Sequence, residues 1–102
     1  MTQPIRVGAA AAEELSAAIA WYEDRGPGLG GRLLDEVQQA LDLIRRHPNV
    51  GGPVPRVAAE RDTRRVPLHR FPYAVVYRVR NAEIEVVAFA HGSRRPGYWR
   101  SR

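Results

Sequence analysis

The 102-residue chain is long enough for one modest hydrophobic core, and we expect a single domain spanning residues 1–102. It contains no cysteine, which excludes disulfide frameworks and thiolate metal sites. No basic N-terminal region precedes a long apolar run, so we see no signal peptide or membrane span and expect a soluble, cytoplasmic protein.

The positive charge is concentrated in the C-terminal half. All sixteen basic residues are arginine, and the formal net charge is +5. Residues 1–51 contain five arginines and seven acidic residues, whereas residues 52–102 contain eleven arginines and four acidic residues. Arginine carries a permanent charge and a planar donor group that suits carboxylates and phosphates. The C-terminal half therefore predicts an anionic partner, either nucleic acid or an acidic protein segment.

The N-terminal segment predicts a short strand followed by a helix. Residues 5–7 are of β type and are expected to form an edge strand. From Ala9 the chain is rich in alanine and shows one apolar helix face, and Gly26-Pro27-Gly28 ends the pattern. Glu13 and Glu14 lie early in this helix, where carboxylates suit the positive end of the helix dipole.

A second helix and a loop follow. The apolar stripe of this helix has helical spacing, and Pro48 stops the helix; the stripe consists of Leu33, Val37, Ala40, Leu41 and Ile44. The short link between the two helices predicts a helical hairpin. The segment Asn49–Ala59 contains two glycines and two prolines and predicts a loop.

Three β-type runs complete the domain, over Arg64–Arg70, Phe71–Val79 and Glu83–His91. The order β-α-α-β-β-β predicts an α+β fold in which the helical hairpin packs on a small, mostly antiparallel sheet. A two-residue turn at Asn81-Ala82 joins the last two strands in this interpretation.

The turn at Asn81-Ala82 predicts a register with two cross-strand pairs of opposite charge, Arg80 with Glu83 and Arg78 with Glu85. In this register the face that carries Tyr73 and Tyr77 is apolar and receives the helices. The other face is predicted to be open and to include His91. It also carries the residues that we expect a protein partner to cover, namely Val76, Arg78, Val87 and Phe89.

Three parts of the chain resemble the RelE/ParE superfamily of bacterial toxins from type II toxin–antitoxin modules. They are the helix pair with Trp21-Tyr22 and Pro48, the run FPYAVVYRV at residues 71–79, and the tail HGSRRPGYW at residues 91–99. The resemblance covers nearly the whole chain. It implies a RelE/ParE-like fold and a cognate antitoxin that binds the toxin in a cytoplasmic hetero-oligomer, with no metal or cofactor. Members of the RelE branch cleave mRNA on the ribosome, whereas members of the ParE branch poison DNA gyrase.

The residues at the functional positions of the RelE branch favour the ParE branch. Ala74 stands where RelE-type nucleases commonly carry an arginine, and the chain has no lysine, although Arg64 and Arg65 lie near the lysine positions of that branch. Arg94 lies near the position of a second functional arginine of the RelE branch. Tyr98 lies only roughly at the position of the C-terminal tyrosine of that branch. Because guanidinium groups are poor proton shuttles at neutral pH, a nuclease would also need another acid or base.

The resemblance and the residues together predict a ParE-like toxin that acts on DNA gyrase. Clusters of basic and aromatic residues bind nucleic acid and also serve as hot spots of protein interfaces. We therefore predict that the target is bound by one such cluster, which consists of Arg94, Arg95, Tyr98, Trp99 and Arg100. The antitoxin is expected on the open sheet face, at Val76, Arg78, Val87 and Phe89, and along the helix pair.

Two alternatives remain. The first is a metal-independent, ribosome-dependent mRNA endoribonuclease, which would use Arg64, Arg65, His91, Arg94 and Tyr98. The second is a non-toxic module that binds the antitoxin and has no activity.

His91 is the best candidate for acid–base chemistry among the three histidines. The three histidines are far apart in sequence and lack ligand spacing, so we predict no metal site.

Overall fold

Two helices cover one face of a five-stranded mixed sheet in a computed structural model, which describes residues 3–54 and 63–102. In chain order the elements are β1 (Ile5–Val7), α1 (Ala9–Arg25), α2 (Leu29–Arg46), β2 (Gly52–Pro53), β3 (Thr63–Pro67), β4 (Tyr73–Arg80) and β5 (Glu83–His91). The strand order is β1-β5-β4-β3-β2, with β1 parallel to β5 and the other neighbours antiparallel. The predicted α+β fold, helical hairpin and N-terminal edge strand are confirmed.

The segment that follows α2 differs from the predicted loop. Gly52 and Pro53 form the edge strand β2, which pairs with Arg65 and Arg64 of β3. A two-residue strand gives too little periodicity to be read from a sequence. Residues 55–59 of the predicted loop lie outside the described part of the chain.

The predicted strand Arg64–Arg70 was too long, because β3 ends at Pro67. The amide groups of His69 and Arg70 both donate to the Glu36 carboxylate of α2, at 2.9 and 3.2 Å. A bond from the Leu68 amide to the Tyr73 carbonyl closes the turn into β4. The helix therefore holds residues 69–70 away from the sheet, and β4 begins only at Tyr73.

The helical hairpin is closed by Glu23 of α1, which caps the N-terminus of α2. Its carboxylate accepts hydrogen bonds from the Gly28 and Gly30 amides at 3.1 and 3.0 Å, so it satisfies donors that a helix N-terminus leaves unpaired. A Cβ at Gly30 would lie 2.9 Å from the Ile19 carbonyl oxygen. Glycine at this position therefore permits the close approach of α1 and α2.

The main core lies between the helices and the sheet. Its buried members come from both helices, from β4 and β5, and from the turn before β4: Ala11, Ala18, Leu33, Val37, Ala40, Ile44, Phe71, Val75, Tyr77, Ile84, Val86 and Phe89. The fully buried Tyr77 hydroxyl donates to the Pro48 carbonyl at 2.8 Å and accepts from the Gly51 amide at 2.9 Å. Because these partners follow α2, Tyr77 also ties the end of that helix to β4.

The hairpin turn is confirmed at Asn81-Ala82, where both residues have positive φ, 51° and 63°. The predicted register of β4 and β5 holds from Arg80–Glu83 to Tyr77–Val86. The opposite-charge pairs therefore occur as register partners. The Glu85 carboxylate also forms an ion pair with Arg6 of β1 at 2.7 Å, because β1 runs along the other side of β5.

Beyond Val86 the predicted register is wrong, because a bulge at Val87 shifts the pairing by one residue. Val76 pairs with Ala88, Val75 with Phe89, and Tyr73 with His91. A one-residue shift moves the side chains that follow it to the opposite face. Phe89 therefore belongs to the helix-side core, and the interpretation that placed it on the open face is wrong.

The second face of the sheet is also covered, contrary to the prediction of an open face. Val54 and Trp99 are buried there against Val76, Val87 and Ala88. The predicted antitoxin-binding residues are all buried in the chain itself: Val76, Arg78, Val87 and Phe89. Val76 and Val87 are covered by Trp99 and Val54 of the same chain, and Phe89 belongs to the helix-side core. Among the described residues, no helix is long and apolar enough to cross a membrane.

Candidate functional site

The C-terminal tail (residues 92–102) follows β5 and consists of consecutive turns. Main-chain hydrogen bonds close them, from Arg94 to His91 at 3.0 Å, from Tyr98 to Arg95 at 3.3 Å, and from Arg102 to Trp99 at 2.9 Å. Because of these turns, the rings of the adjacent residues Tyr98 and Trp99 contact different parts of the protein. Trp99 is buried on the second sheet face, whereas Tyr98 reaches α1.

Glu14 of α1 is the point where the tail meets the helices. Its carboxylate accepts a hydrogen bond from the Tyr98 hydroxyl at 2.6 Å and bonds from the Arg102 guanidinium at 2.6 and 3.3 Å. The Phe89 amide donates to the same carboxylate at 3.2 Å. Glu14 lies beyond the first turn of α1, where the helix dipole has little effect, so the predicted interaction with the dipole was wrong. The carboxylate instead forms contacts between α1 and distant parts of the chain.

A groove of about 500 Å³ separates α1 from the end of β5 and the tail, and we call it the aromatic groove. Its main lining residues are Trp21, Tyr73, His91, Arg94 and Tyr98. Trp21 is 50% exposed and has the Arg25 guanidinium 3.4 Å from its ring centroid.

Edge-to-face ring contacts lead from the groove into the core. Trp21 contacts Tyr22 at 4.9 Å between centroids, Tyr22 contacts Phe71 at 4.9 Å, and Tyr73 contacts His91 at 5.0 Å. Such contacts stabilise ring pairs beyond their buried area. The rings that line the groove are therefore packed directly against residues of the main core.

The His91 ring faces the aromatic groove on the helix side of the sheet, and its predicted place on an open face is wrong. Its Nδ1 accepts the Ser93 amide at 3.0 Å and lies 2.8 Å from the Ser93 hydroxyl oxygen. A neutral ring that accepts at Nδ1 carries its hydrogen on Nε2. The position was missed because it depends on the bulge in β5.

Arg94 and Tyr98 form a stacked pair at the rim of the groove, with the guanidinium carbon 4.0 Å from the ring centroid. Burial raises the pKa of the Tyr98 phenol well above its ordinary value, and the adjoining Glu14 carboxylate raises it further. Tyr98 therefore keeps its proton at neutral pH and cannot act there as a general base.

The structure separates the residues of the predicted nuclease site. The Arg64 guanidinium donates to the carbonyl oxygens of Asn49 and Gly51 at 3.1 and 2.8 Å. Arg64 pairs with Tyr77 and His91 pairs with Tyr73, on strands at opposite sides of β4. By strand geometry the two lie roughly 15 Å apart. Arg65 is paired with Val76 and so lies on the second sheet face.

Of the predicted target-binding residues, the structure leaves Arg94, Arg95 and Arg100 exposed and Tyr98 half-buried. Trp99 is only 3% exposed, so it is buried and is not presented at the surface beside these arginines. The reason is that its large apolar ring fills the second sheet face.

The contact of Glu14 with the tail and the place of Trp21 in the groove were not predicted from the sequence. A signal was present, because Glu14, Ala17, Ala18 and Trp21 have the i, i+3, i+4, i+7 spacing of one helix face, and all four line the groove. Within the described ranges, no group of three His, Asp or Glu residues is arranged to hold a metal ion.

Comparisons with known proteins agree with this architecture. A family model described as the ParE toxin of the type II toxin–antitoxin system parDE matches residues 5–96. A solved structure of a chromosomal ParDE toxin–antitoxin system from P. aeruginosa has a TM-score of 0.72 at 20% identity, covering 88% of this chain and 96% of that one. The RelBE2 toxin–antitoxin complex from Mycobacterium tuberculosis has a TM-score of 0.58 at 21% identity, with 89% and 99% covered. At these identities the likeness shows the fold. No curated protein matches the sequence.

Proposed function

Because this chain belongs to the ParE toxin family of type II toxin–antitoxin systems, we propose that it arrests growth by binding DNA gyrase through its basic tail. In this proposal it acts in the cytoplasm and is neutralised by a cognate antitoxin in a hetero-oligomeric complex. The observation that favours this proposal over a nuclease is the distance between Arg64 and His91, which is roughly 15 Å as estimated from the strand spacing and register. Residues that would have to share a phosphate in a nuclease are thus far apart.

The exposed arginines support binding rather than catalysis. Arg94, Arg95 and Arg100 present permanent positive charge, and Tyr98 is held as a proton donor to Glu14. Guanidinium groups bind carboxylates and phosphates in a planar geometry but do not shuttle protons at neutral pH. A surface of this kind suits an acidic or DNA-bound protein target such as gyrase on DNA.

The helical hairpin is the proposed docking site for the antitoxin. Trp21 and Leu34 are exposed large apolar residues on α1 and α2, whereas the apolar residues of the second sheet face are buried by Trp99. The solved relatives come from a ParDE toxin–antitoxin system and a RelBE2 toxin–antitoxin complex. An amphipathic antitoxin segment that folds along the helices would bury these apolar residues. The arginine-rich C-terminal half, which gives the chain its net charge of +5, would attract acidic residues elsewhere in the antitoxin.

The test is induction of the toxin without antitoxin in a bacterial host, with separate pulse labels for DNA and protein synthesis. We expect DNA synthesis to stop first and covalent gyrase–DNA complexes to accumulate. Arg95→Ala with Arg100→Ala should weaken the arrest. Arg32→Ala with Arg46→Ala is the matched control, since it removes the same charge from exposed positions on α2.

A second candidate, the ribosome-dependent endoribonuclease, is favoured by one observation, that His91 and Arg94 line one groove. It predicts that protein synthesis stops first and that mRNA is cut on ribosomes. Growth that continues in the presence of soluble, folded protein would contradict both candidates and support the non-toxic binding module.

A further inference from the structure

We propose that Glu14 is a positioning residue that holds the tail (residues 92–102) in the arrangement that presents its arginines to the target. The link to target binding rests on the proposed function. The position of the tail does not, because it can be measured on the isolated toxin.

The first support is the number of distant groups that share one carboxylate. Glu14 accepts from Tyr98, from Arg102 and from the Phe89 amide, and so it joins α1 to the tail and to β5. Its side chain is only 18% exposed, where charge-assisted hydrogen bonds are screened less than on an open surface. None of these bonds contributes to α1 itself.

The second support is an energetic cost at Trp99, one of the places where the tail contacts the sheet. The others include the Arg102 carbonyl, which accepts from Arg78 at 3.0 Å, and the Arg102 guanidinium, which donates to the Val87 carbonyl at 3.1 Å. Trp99 buries its ring against Val76, Val87 and Ala88. Its indole Nε1 is buried without a hydrogen-bond partner among residues 3–54 and 63–102. An unpaired buried donor opposes docking of the ring. The polar contacts of Glu14 offset this cost and add to the attachment of the tail.

Fixing Tyr98 also fixes the arginine beside it. The Arg94 guanidinium lies over the Tyr98 ring at 4.0 Å, and the Tyr98 hydroxyl is bonded to Glu14 at 2.6 Å. A tail that is already ordered loses less conformational freedom when it binds a partner than a released tail does. Loss of Glu14 should therefore weaken target binding without removing a contact to the target.

The test compares Glu14→Gln with Glu13→Gln. Both substitutions remove one charge from neighbouring positions of α1, but Glu13 is exposed and forms no hydrogen bond in the described part of the chain. The Glu14→Gln substitution replaces one of the two acceptor oxygens by an NH₂ group, which is a donor. That group would face the donors of Tyr98 and Arg102, so part of the present hydrogen bonding is lost. In a Trp21→Phe background, Trp99 is the remaining tryptophan, and acrylamide quenching of its fluorescence reports release of the tail.

We expect Glu14→Gln to increase quenching of Trp99 and to lower the potency of growth arrest about tenfold, since hydrogen bonds to a charged group are among the strongest in proteins. Glu13→Gln should match the parent in both measurements. A Glu14→Gln protein whose Trp99 stays protected would overturn the proposal. So would a released tail with undiminished potency.

Two further arrangements keep the test decisive. If Glu14→Gln does not fold, the double variant Tyr98→Phe with Arg102→Gln removes the tail side of the same contacts and leaves α1 intact. Arg32→Gln, which changes an exposed arginine of α2, is the control. If the parent toxin does not stop DNA synthesis, the proposed function fails. The quenching of Trp99 then still decides whether Glu14 positions the tail.

Discussion

His91 of β5 lies directly opposite Tyr73 of β4, with the two rings edge to face and their centroids 5.0 Å apart. An uninterrupted register would have placed Ala90 there. The bulge at Val87 adds one residue to β5, so the last part of the strand turns the other set of side chains towards α1. This single residue places His91 in the aromatic groove.

Replacing His91 with alanine should leave the arrest of DNA synthesis in place. Its ring packs on Tyr73 and accepts the Ser93 amide, so its loss should cost about 1 kcal/mol of folding free energy. Pulse labelling and thermal unfolding would be measured together, with His47→Ala as an exposed control. A His91→Ala protein with unchanged unfolding and no growth arrest would instead indicate catalysis by the imidazole.

Tyr77→Phe should destabilise the protein by about 2–4 kcal/mol, because it leaves the Pro48 carbonyl and the buried Gly51 amide without their partner. Urea unfolding at constant m-value is the appropriate measurement. Tyr73→Phe is the matched control, since the Tyr73 hydroxyl donates no hydrogen bond within the described residues and its loss should cost little. Equal destabilisation by the two substitutions would contradict the assigned role of the Tyr77 hydroxyl.

Ala82→Gly should stabilise the hairpin by about 1 kcal/mol, since an alanine at positive φ carries a steric cost that glycine avoids. The φ of Ala82 is 63°. Asn81→Gly provides the comparison and should change the stability much less, because asparagine tolerates the left-handed conformation. Thermal unfolding measures both, and a lower midpoint for Ala82→Gly would show that the turn has another conformation.

Alkaline pH should release the tail. Burial raises the pKa of the Tyr98 phenol, and Glu14 raises it further, so the folded protein retains a proton that the unfolded chain loses near its ordinary pKa of 10.0. The stabilising contribution is therefore present below about pH 10 and is lost as the pH rises towards the folded pKa.

The measurement is Trp99 quenching and chemical unfolding at increasing pH. Burial also raises the pKa of Tyr73 and Tyr77, so the difference between the parent and Tyr98→Phe isolates the contribution of Tyr98. Tyr98→Phe should show a smaller loss of tail docking with pH. Identical pH profiles for the two proteins would contradict the assignment.

The elements with strong local signals could be read from the sequence. The apolar stripe from Leu33 to Ile44, the breakers at Gly26-Pro27-Gly28 and the turn at Asn81-Ala82 act through propensity and periodicity, which a few neighbouring residues determine. The resemblance carried by the hairpin and tail likewise anticipated the family that residues 5–96 match.

Only the tertiary structure decided how the C-terminal half is arranged around the candidate site. The bulge at Val87 carries no signature that distinguishes it from continued alternation, yet it exchanges the faces of Phe89 and His91. The contact between Glu14 and Tyr98 joins positions 84 residues apart. Such contacts depend on which surfaces meet when the helices, the sheet and the tail pack together, and local sequence preferences do not contain that information.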